Sequence, residues 1–579
     1  MSGAEARLAV DENAGTDAAP TGDLLETARA WLAQDPDGET RAELRDLISA
    51  TESGDAGAAA ELADRFAGRL AFGTAGLRGE LGAGSNRMNR VLVGQAAAGL
   101  ASFLLDKHDR DDPPVVVVGY DGRRNSDVFA VDSAQIFAGA GLRAILLPRL
   151  LPTPVLAFAV RHFGADAGVM VTASHNPPDD NGYKVYLGGP DDGSQIVSPA
   201  DAEIAAHIQS IADGGDVSAL PRSIGYETAT EAVVDAYVEA TAAVAPAGIG
   251  AAGVSWVYTA MHGVGWETFS RILDVAGYPA PTVVEAQIHP DGAFPTVSFP
   301  NPEEPGAMDL AFETARSSGA EFVIANDPDA DRLAVAIPDG SAEGGWRRLT
   351  GNEIGLLLGW RAARLASAAD PVEGASLACS LVSSPGLAAV AERYGMDFHT
   401  TLTGFKWISR APGMIFGFEE ALGYLVNPGT VRDKDGISAA IAMLGFVTGA
   451  RERGETIADL LEDFAATFGA FASDQISVRV DDVSTISRIM GALRAQHPSS
   501  FGDVAVEHVD DLLEGVDGLP PGDVLRFALA GGSRVIVRPS GTEPKLKLYL
   551  DVRGDSPADA RHRLEQLVAA ARSLLDDLG

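Results

Sequence analysis

Thr172-Ala173-Ser174-His175-Asn176-Pro177 places a serine hydroxyl directly after the apolar run Ala167–Val171. That run reads as a buried strand, and Pro177-Pro178-Asp179-Asp180-Asn181-Gly182 behind it continues neither helix nor strand. Open α/β sheets place their ligands at the carboxyl ends of strands, so Ser174 sits where chemistry is done. The plain alternative is a turn serine that satisfies local amides. His175 adjoins it, but neighbouring side chains point apart in extended backbone. The G-x-S-x-G elbow of serine hydrolases is also missing around Ser174, so an acyl-transfer relay is not expected.

Asp327-Pro328-Asp329-Ala330-Asp331-Arg332 follows a second apolar strand, Glu321–Ala325. Carboxylates at i, i+2 and i+4 converge on one hard cation if the loop curls, and an all-oxygen ligand set favours Mg²⁺ over zinc. An EF-hand opens with the same spacing. Here Arg332 replaces its turn glycine and Pro338 its bidentate glutamate, so that reading fails. A solvated turn must hold three like charges close together without a cation.

Arg538-Pro539-Ser540-Gly541-Thr542-Glu543-Pro544 lies between strands at Arg534–Val537 and Leu546–Leu550. Consecutive amides and two hydroxyls form a nest for a phosphate group, which Arg538 can grip bidentately; a plain hairpin turn is the alternative. Gly417-Phe418-Glu419-Glu420-Ala421-Leu422-Gly423-Tyr424 sets paired carboxylates in a glycine-bounded loop, suited either to vicinal sugar hydroxyls or to solvent. Basic residues stand beside such loops: Arg78, Arg123, Lys184, Lys406 after Gly404-Phe405, Arg432 and Lys434.

The elements that must position these residues alternate between strand and helix. Strand Val115–Val118, a helix near Val128–Ala140, strand Ala144–Leu147 and the strand leading to Ser174 give a βαβ rhythm and a mostly parallel sheet. Helices are expected from Leu24 to Leu32, across Arg41–Ile48 and across Ala58–Phe66. A second unit opens with the helix Val233–Ala243 and holds strands Val254–Tyr258 and Glu321–Ala325; a third holds strand Ser376–Val382. The last unit ends in a helix marked by Ser556, Pro557 and Asp559, with one buried face at Leu564, Leu567, Val568, Ala571 and Leu575. The boundaries expected are a disordered tail at 1–21 and domains at 22–225, 226–345, 346–470 and 471–579.

The 579 residues exceed one core, and 46% hydrophobic residues with 65 glycines describe a turn-rich α/β chain. A formal charge of −37 argues against nucleic acid and anionic lipid as partners. A small anion is still bound where a few cations and amides are focused in a cleft. The single cysteine, Cys379, excludes a disulfide framework and fits a reducing cytoplasm. Neither a signal-peptide pattern nor a membrane-length apolar run is present, so a cytoplasmic location is expected.

Taken together, TASHNP at 172–177, DPDADR at 327–332, GFEEALGY at 417–424 and RPSGTEPK at 538–545 resemble the α-D-phosphohexomutase family. They fall in that family's order and cover most of the chain from about Ala71 onward. Trp31-Leu32 with Asp35-Pro36, and Phe72-Gly73-Thr74-Ala75-Gly76-Leu77-Arg78-Gly79, resemble the phosphoglucomutase-2/phosphopentomutase-like branch. The resemblance implies four domains around a central cleft, three α/β domains with mixed sheets and a smaller C-terminal α+β domain that closes as a lid. It implies that Ser174 is carried as phosphoserine, with Mg²⁺ held by its phosphate and by Asp327, Asp329 and Asp331. A sugar bisphosphate such as glucose 1,6-bisphosphate would be intermediate and activator.

By the same resemblance Arg538, Ser540, Gly541 and Thr542 hold the non-reacting phosphate, and Glu419 with Glu420 reads sugar hydroxyls. Arg332, Gly404, Arg432 and Lys434 fall among the substrate-binding positions. Lys184, Lys406 and His175, with Arg78 nearby, are the candidates for the general base. The sugar loop departs from the Glu-Glu-Ser-Gly-His of hexose-specific members, which leaves glucose, the preferred expectation, beside mannose and pentose phosphates. A monomer is expected. A magnesium-dependent phosphatase and a silent sugar-phosphate sensor are the competing classes; the sensor should have lost Ser174, the aspartate triplet or Arg538, and none is lost.

Overall fold

Runs of β-branched and aromatic residues such as Val115–Val118 and Phe322-Val323-Ile324 suit buried strands, and strands of this kind build four sheets. The computed structural model describes residues 21–369, 373–480, 482, 484–540 and 545–578. The expected tail therefore lies outside the described residues, apart from Thr21, which opens the first helix.

The first sheet runs in the order Leu77–Glu80, Asp180–Leu187, Ala167–Val171, Val115–Tyr120, Arg143–Leu146, Glu227–Thr228, with Ser194–Gln195 beside Asp180–Leu187. Its centre is parallel, but Asp180–Leu187 returns antiparallel to Ala167–Val171, so the sheet is mixed. The second sheet is Trp346–Arg348, Leu333–Pro338, Phe322–Asn326, Trp256–Thr259, Thr282–Val283, and the third is Asp397–Thr401, Ser376–Ser380, Met414–Glu419, Gly423–Leu425. The fourth is antiparallel throughout, running from Ala470–Arg479 through Lys545–Gly554, Ser533–Pro539, Leu525–Leu529 and Val504–Asp511 to Ser500–Phe501. Three mixed α/β sheets and one antiparallel α+β sheet match the expected fold class.

Pairing moves the expected boundaries. Glu227–Thr228 still belongs to the first sheet, beyond residue 225, because it pairs with Ile145 and Leu146. Trp346–Arg348 still pairs with Ala336–Pro338 of the second sheet, and Ala470 already opens the fourth. Strands this short carry no periodicity that a sequence reading could use.

Helices Thr21–Gln34, Gly38–Glu52 and Ala56–Arg65 precede the first sheet. Ala28, Trp31, Leu44, Ile48 and Leu62 pack on Ala83, Val91, Leu92 and Val217, which joins this extension to the first domain. Helix Gly436–Arg451 is apolar nearly all round, as in Ala439-Ala440-Ile441-Ala442-Met443-Leu444, and such a helix must be buried. It lies within one continuous core shared by the second and third sheets. The terminal helix Pro557–Leu578 starts as expected, with Ser556 Oγ accepting from the Asp559 amide at 3.2 Å. The Asp559 carboxylate reaches back to the amide of Asp555 rather than that of Ser556. No described helix is long and apolar enough to cross a membrane.

Candidate active site

Each of the four motif loops connects two antiparallel neighbours. The Ser174 loop joins Ala167–Val171 to Asp180–Leu187, and the aspartate loop joins Phe322–Asn326 to Leu333–Pro338. Glu420 lies between Met414–Glu419 and Gly423–Leu425, and Ser540 between Ser533–Pro539 and Lys545–Gly554. A hairpin ties both ends of its loop to the sheet, so side chains on the loop inherit the register of the strands.

Ser174 is buried and adopts a left-handed φ of 54°. Its amide donates to Thr172 Oγ1 at 2.8 Å, and its hydroxyl donates to Asp327 Oδ2 at 3.0 Å. The same Oγ lies 3.2 Å from His175 Nδ1. The expectation that these side chains diverge assumed extended backbone; the left-handed turn at Ser174 brings them together instead.

Ala330, at φ 56°, curls the second loop. Asp327, Asp329 and Asp331 converge there, each with 0% exposure and with carboxylate oxygens within 4.8 Å of one another. Such a cluster needs cations. Lys184 Nζ donates to Asp329 Oδ2 at 2.7 Å and Asp331 Oδ2 at 2.9 Å, and Lys434 Nζ stands 3.1 Å from Asp331 Oδ2. Arg332 Nε lies 4.0 Å from both Asp327 and Asp331, and its amide donates to Asp327 Oδ1. Thr153, from the first domain, donates its hydroxyl to Asp329 Oδ2 at 2.7 Å and its amide to the Asp329 carbonyl at 2.9 Å.

Charge is shared unevenly. Burial raises the carboxyl of Asp327 well above the usual range, reinforced by Asp329 and Asp331. Burial also opposes ionisation of Asp331, but Lys184, Lys434 and Arg332 outweigh it and hold that carboxyl below its usual range. Burial works against the charge of Lys184, and the two aspartates more than restore it, so its pKa is raised. Burial, with Arg332 and Arg78 nearby, keeps His175 well below the ordinary histidine value. Asp329 Oδ1 and Asp331 Oδ1 are buried without a hydrogen-bond partner. Two orphaned carboxylate oxygens in an all-oxygen cluster are what a hard divalent cation takes, so the donor set fits Mg²⁺.

The other expected residues divide. Arg78 Nη1 donates to Asn176 Oδ1 of the serine loop at 3.2 Å. Glu419 is half-buried and within electrostatic reach of Arg332 and Lys434. Glu420 turns inward, where its carboxylate accepts from Ser380 Oγ at 3.1 Å and Ser383 Oγ at 3.0 Å, a different partner set from the expected sugar hydroxyls. Gly404, at φ 108°, precedes the short helix Phe405–Ile408, whose Lys406 bonds to Thr74 Oγ1. Arg432 pairs with Asp192 at 3.1 Å and donates to the Ser409 carbonyl, bracing the contact between the first and third sheets. Arg538 lies against Tyr549, which feels the charges of Glu420 and Glu419. The Ser540 amide closes its hairpin on the Lys545 carbonyl at 2.8 Å, while Gly541 and Thr542 lie outside the described residues. Sequence reasoning missed Thr153, which adjoins no motif, and the Tyr186–Asp433 hydrogen bond, whose partners stand 247 residues apart although Asp433 lies between Arg432 and Lys434.

Comparison with known proteins follows the same four-part division. Models described as phosphoglucomutase/phosphomannomutase alpha/beta/alpha domains I, II and III match residues 69–214, 235–340 and 350–468, and the model of the C-terminal domain matches 476–570. A probable phosphomannomutase of Haemophilus influenzae is 54% identical across 84% of this chain and 98% of its own length. The chain belongs to the phosphoglucomutase/phosphomannomutase family. A phosphopentomutase of Homo sapiens is 32% identical over 94% of each chain. The structure of a putative phosphomannomutase from Thermus thermophilus aligns with a TM-score of 0.66 and 25% identity, over 88% of this chain and 99% of that one. Membership of this α-D-phosphohexomutase superfamily makes the protein an intramolecular phosphotransferase, an isomerase of sugar phosphates.

Proposed function

We propose that the protein moves a phosphoryl group between C1 and the terminal carbon of a sugar monophosphate, with Ser174 as the phosphoryl carrier. The observation that supports this reading most is the 3.0 Å contact between Ser174 Oγ and Asp327 Oδ2, which joins the serine loop to the aspartate loop. In the forward step the free sugar hydroxyl attacks phosphorus and the Oγ–P bond breaks with its electron pair on Oγ. The hydroxyl proton passes to a base, and a sugar bisphosphate results. Rotation of that bisphosphate lets its other phosphoryl group return to Ser174.

Mg²⁺ bound by Asp327, Asp329 and Asp331 would neutralise charge on the transferring group. Among the three basic candidates, His175 is the one beside Ser174 Oγ; Lys184 is bound to two aspartates and Lys406 to Thr74. Glu419 reads sugar hydroxyls, with Glu420 acting behind it. Arg538, Ser540, Gly541 and Thr542 hold the non-reacting phosphate. Closure of the C-terminal domain keeps water from the phosphoserine.

Phosphorus NMR with Mg²⁺, a trace of the matching bisphosphate and glucose, mannose or ribose 1-phosphate tests this reading. The 6- or 5-phosphate should appear without inorganic phosphate. Glucose is the preferred expectation for the sugar. The 54% identity to a probable phosphomannomutase supports mannose as the second reading, and the panel ranks them. Inorganic phosphate as the product would support the phosphatase instead.

A further inference from the structure

Arg123 follows the strand Val115–Tyr120, and its side chain is 1% exposed. Its guanidinium donates to four main-chain carbonyls of one loop. Nη2 reaches Ser174 O at 2.6 Å and Asn176 O at 2.5 Å, and Nη1 reaches Pro177 O at 2.8 Å and Asp180 O at 3.1 Å. Nε faces the buried carboxylate of Asp121 at 3.6 Å, which itself accepts from Ser126 Oγ and the Arg123 amide. The guanidinium also lies 4.9 Å from the ring centroid of Phe294, a residue of the second domain.

The segment around Phe294 fits against the turn at Arg123 with no room for a side chain. A Cβ at Gly292 would stand 2.9 Å from Arg124 N and 3.0 Å from Gly122 O. From there contacts continue to the aspartate loop. The Asp291 amide donates to the His262 carbonyl at 2.9 Å, and the Val264 amide to the Pro328 carbonyl at 2.9 Å. A Cβ at Gly263 would come within 2.3 Å of Pro328 Cα. Ser174, Met261, His262, Phe294 and Ala330 all hold left-handed backbone along this path. Such conformations persist only where the surroundings over-determine them.

We infer that Arg123 is a positioning residue for phosphoryl transfer, clamping the Ser174 loop and, through Phe294, registering it against the loop of Asp327, Asp329 and Asp331. The inference rests on Ser174 being the phosphoryl carrier. A planar fork is required, because an ammonium group offers three donors and cannot span four carbonyls while it also faces a ring. Misplacing reacting groups by about 1 Å costs on the order of 100-fold in rate.

The test compares Arg123→Ala, Arg123→Lys, Phe294→Leu and Ser174→Ala in the full chain. Each is loaded from a ³²P-labelled sugar bisphosphate so that turnover is expressed per labelled site. Given time to load fully, Arg123→Ala should reach the wild-type extent of labelling, more slowly, and lose about 100-fold in kcat per labelled site, with KM within about threefold. Added guanidinium should restore part of that rate, and Arg123→Lys should stay close to the alanine variant. Phe294→Leu should lose roughly fivefold. A wild-type rate per labelled site in Arg123→Ala, or a loss confined to the number of labelled sites, overturns the inference. If Arg123→Ala does not fold, an unchanged rate in Phe294→Leu overturns it. Label on Ser174→Ala counts against the serine carrier itself, not against Arg123.

Discussion

Lys184 supplies part of the positive charge that the buried aspartates need. Its ammonium bridges Asp329 and Asp331, both fully buried. Removing one partner of a buried ion pair costs roughly 3–5 kcal/mol, because the remaining charge has no compensation. Lys184→Ala should therefore lower Tm in the presence of chelator, and Mg²⁺ should recover more of it in the variant than in the wild type. Equal Mg²⁺ effects on both proteins would contradict this balance. Glu420 makes the opposite case. Burial pushes its carboxyl up to about 7, Glu419 adding to the effect, from 4.5 in the unfolded chain. The folded state thus holds a proton that the unfolded state releases, and stability falls as pH rises from 4.5 to about 7 and stays lowered above it. A tenfold difference in proton affinity is worth about 1.4 kcal/mol. Glu420→Gln should flatten this dependence and gain in Tm over the wild type at about pH 8 relative to about pH 5; parallel melting profiles would refute it. At this scale the convergence of the aspartates was legible, because carboxylates at alternate positions meet once the loop curls, while the role expected of Ser174 came from the family resemblance. Thr153 was not legible, since its role arises only when two distant segments meet.

The expected helices and longer strands mostly form, because amphipathic spacing and β-branched runs are local signals. What stayed hidden was the path of the chain between them. The βαβ rhythm suggested parallel neighbours, yet every motif loop turns back into an antiparallel partner. Pairs as short as Thr282–Val283 and Glu227–Thr228 form because a neighbouring strand offers them an edge. The amino-terminal helices are held by apolar burial far from the aspartate cluster. Trp31 is 7% exposed and meets Phe66 edge-on with ring centroids 6.0 Å apart. Trp31→Ala should cost roughly 3–5 kcal/mol of stability while kcat per folded molecule stays unchanged. A fall in kcat without a fall in Tm would place these helices in the catalytic machinery instead.

Across the whole molecule, contacts between sheets decide which loops meet. Thr153 joins the first sheet's domain to the aspartate loop, Tyr186 joins it to Asp433 of the third, and Arg534 joins the fourth to the Ser383 carbonyl. These pairings are long-range, and the net charge of −37 gave no hint of them. They draw residues of an acidic chain into a site where Lys184, Lys434, Arg332 and Arg78 surround three carboxylates. On the proposed reading, a molecule built this way holds a phosphoryl group on Ser174 and passes it to sugar rather than to water. The most direct measurement is a pulse and chase: label from a ³²P sugar bisphosphate, mapping of the labelled peptide, then excess unlabelled sugar 1-phosphate. Label should lie on Ser174, be absent from Ser174→Ala, and leave as sugar phosphate. Label elsewhere, or its release as inorganic phosphate, would contradict the account.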